Sequence, residues 1–83
     1  MSYPVIWLTG AMASYRRLRP ADPDGARRMA SVIGSLAFDP YPVESNALGG
    51  TAFRRIRLER YRVLYEVKDT EVRIMHVGRG SDR

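Results

Sequence analysis

Between Ala52 and Val67 the chain alternates as a two-stranded hairpin does, with an uneven partition of side chains. Ile56 and Leu58 fall on one side of the first strand, and Phe53, Arg55 and Arg57 on the other. In the second strand Tyr61, Val63, Tyr65 and Val67 alternate with Arg62, Leu64 and Glu66. A period of two with one apolar side predicts a half-buried sheet, with Arg55, Arg57 and Arg62 on its uncovered face. Glu59-Arg60 makes the turn, without the glycine or asparagine that a tight primed turn prefers. Arg54, Arg55, Arg57, Arg60 and Arg62 meet only Glu59 and Glu66 within the stretch. Like charges crowded on neighbouring strands cost stability unless an anion or an acidic partner arrives. The face therefore reads as a surface for an anion, RNA first. The plain alternative is a solvated strand surface on which Glu66 balances the arginines of its own side.

The rest of the composition narrows the classes. With 83 residues the chain makes one domain, 1–83, near the small end of what folds without staples. It has no cysteine and one histidine, which excludes disulfides and a thiolate metal site and argues strongly against zinc; neither metal nor cofactor is expected. The net charge of +5 favours phosphate-rich partners. Lys68 is the only lysine, but a GC-rich genome also produces that bias, so the clustering of arginine carries the argument rather than the ratio. Pro4 to Leu8 is too short for a secretory h-region, and no stretch approaches the ~18 apolar residues of a membrane span. The expectation is a cytoplasmic protein with no membrane contact. No internal repeat is visible.

Tyr3 to Leu8 is short, β-branched and aromatic, and reads as a first strand, with Pro4 placing it early or at an edge. Thr9 is the expected cap of a helix from Gly10 to about Leu18, stopped by Pro20, with Arg16 and Arg17 outward. The second helix is better marked: Asp22 caps, Pro23 takes the first helical position and Asp24 complements the positive end. Ala26, Met29, Ala30, Ile33, Leu36 and Ala37 then follow the amphipathic spacing. Asp39 to Thr51, with two prolines, Asn46 and a Gly-Gly pair, reads as a loop. After the hairpin and a turn at Lys68-Asp69-Thr70, Glu71 to Val77 reads as a last strand. The predicted fold is α+β, β-α-α-β-β-β, a helical hairpin on one face of a four-stranded, mainly antiparallel sheet.

In this order the motifs Leu48-Gly49-Gly50, Arg55-Ile56-Arg57, Tyr61-Arg62-Val63-Leu64-Tyr65-Glu66 and His76-Val77-Gly78-Arg79 resemble the RelE/ParE superfamily of type II toxin–antitoxin toxins, most closely its RelE-like branch. The resemblance implies a ribosome-dependent mRNA endonuclease that cuts in the A site. It further implies a cognate antitoxin as partner, ribosome and mRNA as targets, and operator DNA reached only through the antitoxin. By position, Arg55, Arg57, Arg62 and Arg79 match the family's catalytic basic residues. The chain departs from the pattern at Gly80, where the family usually has a further Arg or His. It also lacks, up to Arg83, the tyrosine usually found beyond. The family links those two positions to leaving-group protonation and to stacking on the mRNA base.

Cleavage by this route sends the 2′-hydroxyl against its own phosphate and expels the 5′-oxygen, which requires charge stabilisation, a proton acceptor and a proton donor. Arginine suits the first task, because its fork takes two phosphate oxygens and stays charged, and it suits the other two poorly. His76 and Glu44 are the titrating candidates, although a lone histidine inside a last strand is more often a packing or hydrogen-bonding residue. Arg54, Arg60 and Phe53 are candidates for RNA contact, with Phe53 and Tyr41 able to stack on a base or to pack. Arg16, Arg17, Arg27 and Arg28 read as ordinary outward helix faces. Two rival readings stay open: a ParE-like gyrase poison that is no nuclease, and an attenuated toxin that only binds its antitoxin.

Overall fold

The computed structural model describes residues 2–80. Strand β1 (Val5–Trp7) leads into helices α1 (Thr9–Ala21) and α2 (Pro23–Ser35), and strands β2 (Ser45–Ala47), β3 (Phe53–Leu58), β4 (Tyr61–Lys68) and β5 (Glu71–Arg79) follow. The sheet order is β1-β5-β4-β3-β2, with β1 parallel to β5 and every other pair antiparallel. Both helices lie on one face. Their Ala11, Ala26, Met29 and Ile33, with Leu36 at the C-cap of α2, are buried with Ile56, Tyr61, Val63, Tyr65, Val72, Ile74 and Val77 of the sheet. Among the described residues no helix covers the other face.

Helix α2 begins where its residues say it should. Asp22 accepts a hydrogen bond from the Gly25 backbone N–H (3.0 Å), and Pro23 has no N–H to leave unpaired. The same carboxylate accepts the Tyr61 hydroxyl at 2.5 Å, so one cap also ties the helix to β4. Gly25 permits this closeness: a Cβ there would stand 2.9 Å from the Tyr61 ring and collide with Asp22 itself.

Helix α1 departs from expectation at both ends. Thr9 is its first residue rather than its cap; Leu8 holds that position and supplies no side-chain hydrogen bond. Pro20 does not stop the helix but sits in its final turn, where it forfeits one bond to the Arg16 carbonyl on an exposed side. Asp22 N–H still closes on the Leu18 carbonyl at 2.9 Å, so the turn completes around the proline. The Trp7 and Tyr15 rings meet edge to face at 5.1 Å and fasten α1 to β1.

The stretch Asp39 to Thr51 is not wholly a loop. Ser45–Ala47 forms a fifth strand at the edge, pairing Ser45 with Ile56, Asn46 with Arg55 and Ala47 with Arg54. Ser-Asn-Ala carries no strand propensity of its own; the partner strand and two side-chain tethers impose it. Arg54 donates Nε to Ser45 Oγ (3.0 Å) and lies 5.2 Å from the Tyr41 ring centre, and the buried Tyr65 hydroxyl donates to the Pro40 carbonyl (2.7 Å).

Both hairpin turns are two residues long. Glu59 adopts φ 57° and Asp69 and Thr70 adopt φ 54° and 64°, left-handed positions taken here without glycine. Strand β5 runs to Arg79, two residues past the expected end, and a bulge separates the Tyr65–Ile74 pair from the Leu64–His76 pair.

The Asp22–Tyr61 contact predicts a pH signature. Chiefly the Tyr61 hydroxyl, and then the Gly25 N–H, hold the Asp22 carboxyl below the usual aspartate range, while Asp22 holds the Tyr61 phenol above its usual range. A depressed carboxyl stabilises the fold above its unfolded pKa and loses that contribution as pH falls through the folded value. A raised phenol does the reverse at high pH. Tyr61→Phe should therefore lower the urea midpoint by a constant amount between about pH 5 and 9, with the difference from wild type shrinking below about pH 4. Tyr65→Phe, which orphans the Pro40 carbonyl, should cost about 1–2 kcal/mol in the same titration.

Candidate nucleic-acid interface

Cross-strand register sorts the basic residues into two groups. On the open face one row holds Arg57 opposite Arg62 and Arg62 opposite Gly78; the next holds Arg55, Leu64 and His76; the third holds Phe53, Glu66 and Arg73. Arg55, Arg57 and His76 are exposed and Arg62 half-buried. Three of the four arginines proposed as catalytic thus converge, and His76 joins them on the surface rather than packing inside the strand.

Arg79 goes elsewhere. It pairs with Tyr61, whose side chain is buried against the helices, so its register belongs to the helical face. Its charge, like that of Arg60, works to lower the Tyr61 pKa against the larger effect of Asp22. The bulge keeps His76 and Gly78 on the open face and Arg79 off it, a detail no motif shows. Arg54 is likewise on the helical register, opposite Tyr65, and holds Ser45 and Tyr41 in place. Tyr41 keeps 56% of its surface exposed beside that guanidinium. Arg60 occupies the β3–β4 turn, 5.8 Å from the Tyr61 ring centre. Glu44 sits in the turn just before β2, at the far edge of the sheet from His76.

The two acids of the hairpin are engaged by arginines outside it. Arg28 of α2 holds Glu59 at 2.8 Å, and Arg73 of β5 reaches Glu66 at 3.7 Å and Glu71 at 2.5 Å. Arg62 donates Nη1 to the Tyr61 carbonyl (3.1 Å) and to the Glu59 carbonyl (3.5 Å), which lays its side chain back over the end of the sheet. There it covers Gly80: a Cβ at that position would lie 2.7 Å from Arg62 Nε and 2.8 Å from Cζ. Residues 81–83, toward which the family pattern would place its tyrosine, lie outside the described residues.

A groove of about 640 Å³ opens away from this face, between the helices, lined among others by Tyr15, Arg16, Arg19, Pro23 and Arg27. The arginine rows themselves lie on an exposed sheet surface. That shape suits an extended polyanion better than a small enclosed ligand. Among the described residues no group of three or more His, Cys, Asp or Glu is placed to hold a metal ion, and no helix is long and apolar enough to cross a membrane.

Residues 5–83 match the family of ParE toxins of type II toxin–antitoxin systems, parDE. The chain belongs to that family. Its fold is shared with solved toxins: a mutant of E. coli toxin RelE in the free state (TM-score 0.79, 20% identity, 95% of this chain and 84% of that one). The archaeal RelE–RelB complex from Pyrococcus horikoshii OT3 superposes over 100% of both chains (TM-score 0.75, 24% identity). The RelBE2 toxin–antitoxin complex of Mycobacterium tuberculosis covers 96% of this chain and 100% of that one (TM-score 0.70, 25% identity). No curated protein matches. The α+β reading and the superfamily resemblance both hold, with the sheet one strand wider than expected.

The sorting of arginines has a direct consequence. Arg54→Ala should lower the urea midpoint, because it releases Ser45 and Tyr41 together. Arg55→Ala, on the exposed face, should leave it unchanged within about 0.5 kcal/mol.

Proposed function

We propose that this type II toxin is a ribosome-dependent endoribonuclease that cuts mRNA in the A site and is neutralised by a cognate antitoxin. The observation that carries the reading is the convergence of Arg55, Arg57 and Arg62 on the one sheet face that the helices leave uncovered. Arg57 and Arg62, directly opposite one another, form a clamp suited to a backbone phosphate. A pentacoordinate phosphorane carries more charge on its oxygens than the diester does, so fixed guanidinium groups favour it over the ground state. A ribosomal target implies a cytoplasmic site of action. The antitoxin partner is supported by structural neighbours solved as toxin–antitoxin complexes, among them RelE with RelB. Operator DNA would be reached through that antitoxin.

A second reading has its own support: the matched family carries the ParE name, and Gly80 replaces a basic residue usual in the RelE branch. On that reading the toxin binds DNA gyrase and cuts no RNA. Primer extension on mRNA after expression of the protein distinguishes them. Discrete cuts at A-site codons are expected; intact mRNA with gyrase-linked DNA damage would establish the second reading, and intact mRNA without growth arrest would leave only antitoxin binding. Arg57→Ala and Arg62→Ala should each slow cleavage by about 10²–10³-fold while the proteins stay folded. A soluble variant of either that remains fully toxic would sink the arginine clamp.

A further inference from the structure

The arginine clamp lacks a group that exchanges protons, and the two glycines of β5 and its end show where one sits. Gly78 and Gly80 are two residues apart on the same face, and the ladder continues to Gly80, whose N–H donates to the Arg60 carbonyl at 2.9 Å. Neither position is empty space. A Cβ at Gly78 would lie 3.1 Å from His76 Nε2, so the imidazole leans out of its own row and over Gly78. The Arg62 guanidinium lies over Gly80. Two bare backbone positions thus seat two functional groups contributed by their neighbours, one from the same strand and one from the next.

From this we infer that His76 and Arg62 form a two-sided phosphate seat on the floor made by Gly78 and Gly80, with His76 the proton-transfer group of the reaction proposed above. The inference rests on that reading of the face. At about 3.4 Å of rise per residue the two seats are about 7 Å apart, a gap that one phosphate and its hydrogen bonds of about 2.8 Å fill. Imidazole is the side chain suited to proton exchange near neutrality. Among the described residues the competing carboxylates are worse placed. Glu66 is engaged by Arg73, and Glu44 precedes β2, which is separated from β5 by three strand spacings of about 4.8 Å.

In the step itself, Nε2 takes the proton of the 2′-hydroxyl as that oxygen bonds to the adjacent phosphorus. The P–O5′ bond breaks with its electron pair going to the 5′-oxygen, which takes a proton from water. The hydroxide so formed recovers the proton from the imidazolium. The products are a 2′,3′-cyclic phosphate and a 5′-hydroxyl, and the guanidinium of Arg62 offsets the charge on the non-bridging oxygens throughout.

His76 is the only histidine of the chain, so its Cε1–H resonance is unambiguous in an NMR spectrum. A short single-stranded oligodeoxynucleotide, which has the phosphates but no 2′-hydroxyl, should move that resonance in wild type and in Arg27→Ala, a change on the outer side of α2 where Arg27 pairs with Asp24. The movement should be lost in Arg62→Ala and in Gly80→Ala, whose new methyl displaces the Arg62 side chain. In translation extracts His76→Ala should cut mRNA about 10²–10⁴-fold more slowly, with partial restoration by added imidazole. A resonance that stays fixed while the Arg55 and Arg57 amides respond overturns the seat, and leaves the cleavage reading standing if wild type cuts. His76→Ala cutting as fast as wild type overturns the proton-transfer role. Wild type that leaves mRNA intact while the resonance responds overturns the cleavage reading and the proton step, and supports the seat.

Discussion

Strand β4 is the constraint on which the rest of the molecule depends. It is the middle strand of the sheet, and its odd-numbered residues Tyr61, Val63 and Tyr65 are buried at 2%, 0% and 0% exposure. Because side chains alternate strictly, burying those three presents Arg62, Leu64 and Glu66 to the other face. A slip of one residue would put a guanidinium into the core and three large apolar groups into water, so the register has no near competitor. Two buried hydroxyls add chemical marks to the steric ones. Tyr61 finds Asp22 at the start of α2, and Tyr65 finds the Pro40 carbonyl in the loop after it. Each would lose its partner in any other register. The arginine face is therefore a by-product of how the core is locked.

The same logic explains what could be read from the chain alone. Period-two alternation from Phe53 to Val67 and the Asp22-Pro23 start of α2 are local signals, each with a physical cause within a few residues, and both appear in the structure where expected. Features set by distant partners were not legible. Strand β2 exists because β3 offers an edge and Arg54 offers hydrogen bonds, and nothing in Ser-Asn-Ala announces either. Pro20 reads as a stop, yet a proline in the last exposed turn forfeits a single bond and the next turn closes over it. Arg79 follows the motif Val77-Gly78 closely enough to invite assignment to the arginine face. A bulge at one residue of β5 and the pairing with Tyr61 decide otherwise.

Arginine does different work at different places in this chain. Arg28 and Arg73 hold the acids Glu59 and Glu66, and Arg54 anchors the edge loop. The hairpin's carboxylates are thereby drawn toward α2 and β5, away from the row in which Arg57 faces Arg62. An arginine-rich row on a sheet surface raises the potential felt by an approaching polyanion without requiring a deep pocket. Composition reports the net +5; only the pairing shows which arginines make the field and which arrange the others.

The position at Gly80 shows how a missing side chain can mislead when it is read in one dimension. Against the pattern of the superfamily it looks like the loss of a basic group. In the structure the volume beside Gly80 is occupied by the Arg62 side chain, and a residue with a Cβ would have to displace it. Charge at that point of the face is thus supplied from β4 rather than from the end of β5, and the glycine is the condition that lets it be. At Gly78 the fit is less tight: a Cβ there would lie 3.1 Å from His76 Nε2, so the imidazole would have to give only slightly. A substitution at Gly80 removes no side chain, yet it has to move that of Arg62, so the glycine shapes this part of the face as much as the arginine does.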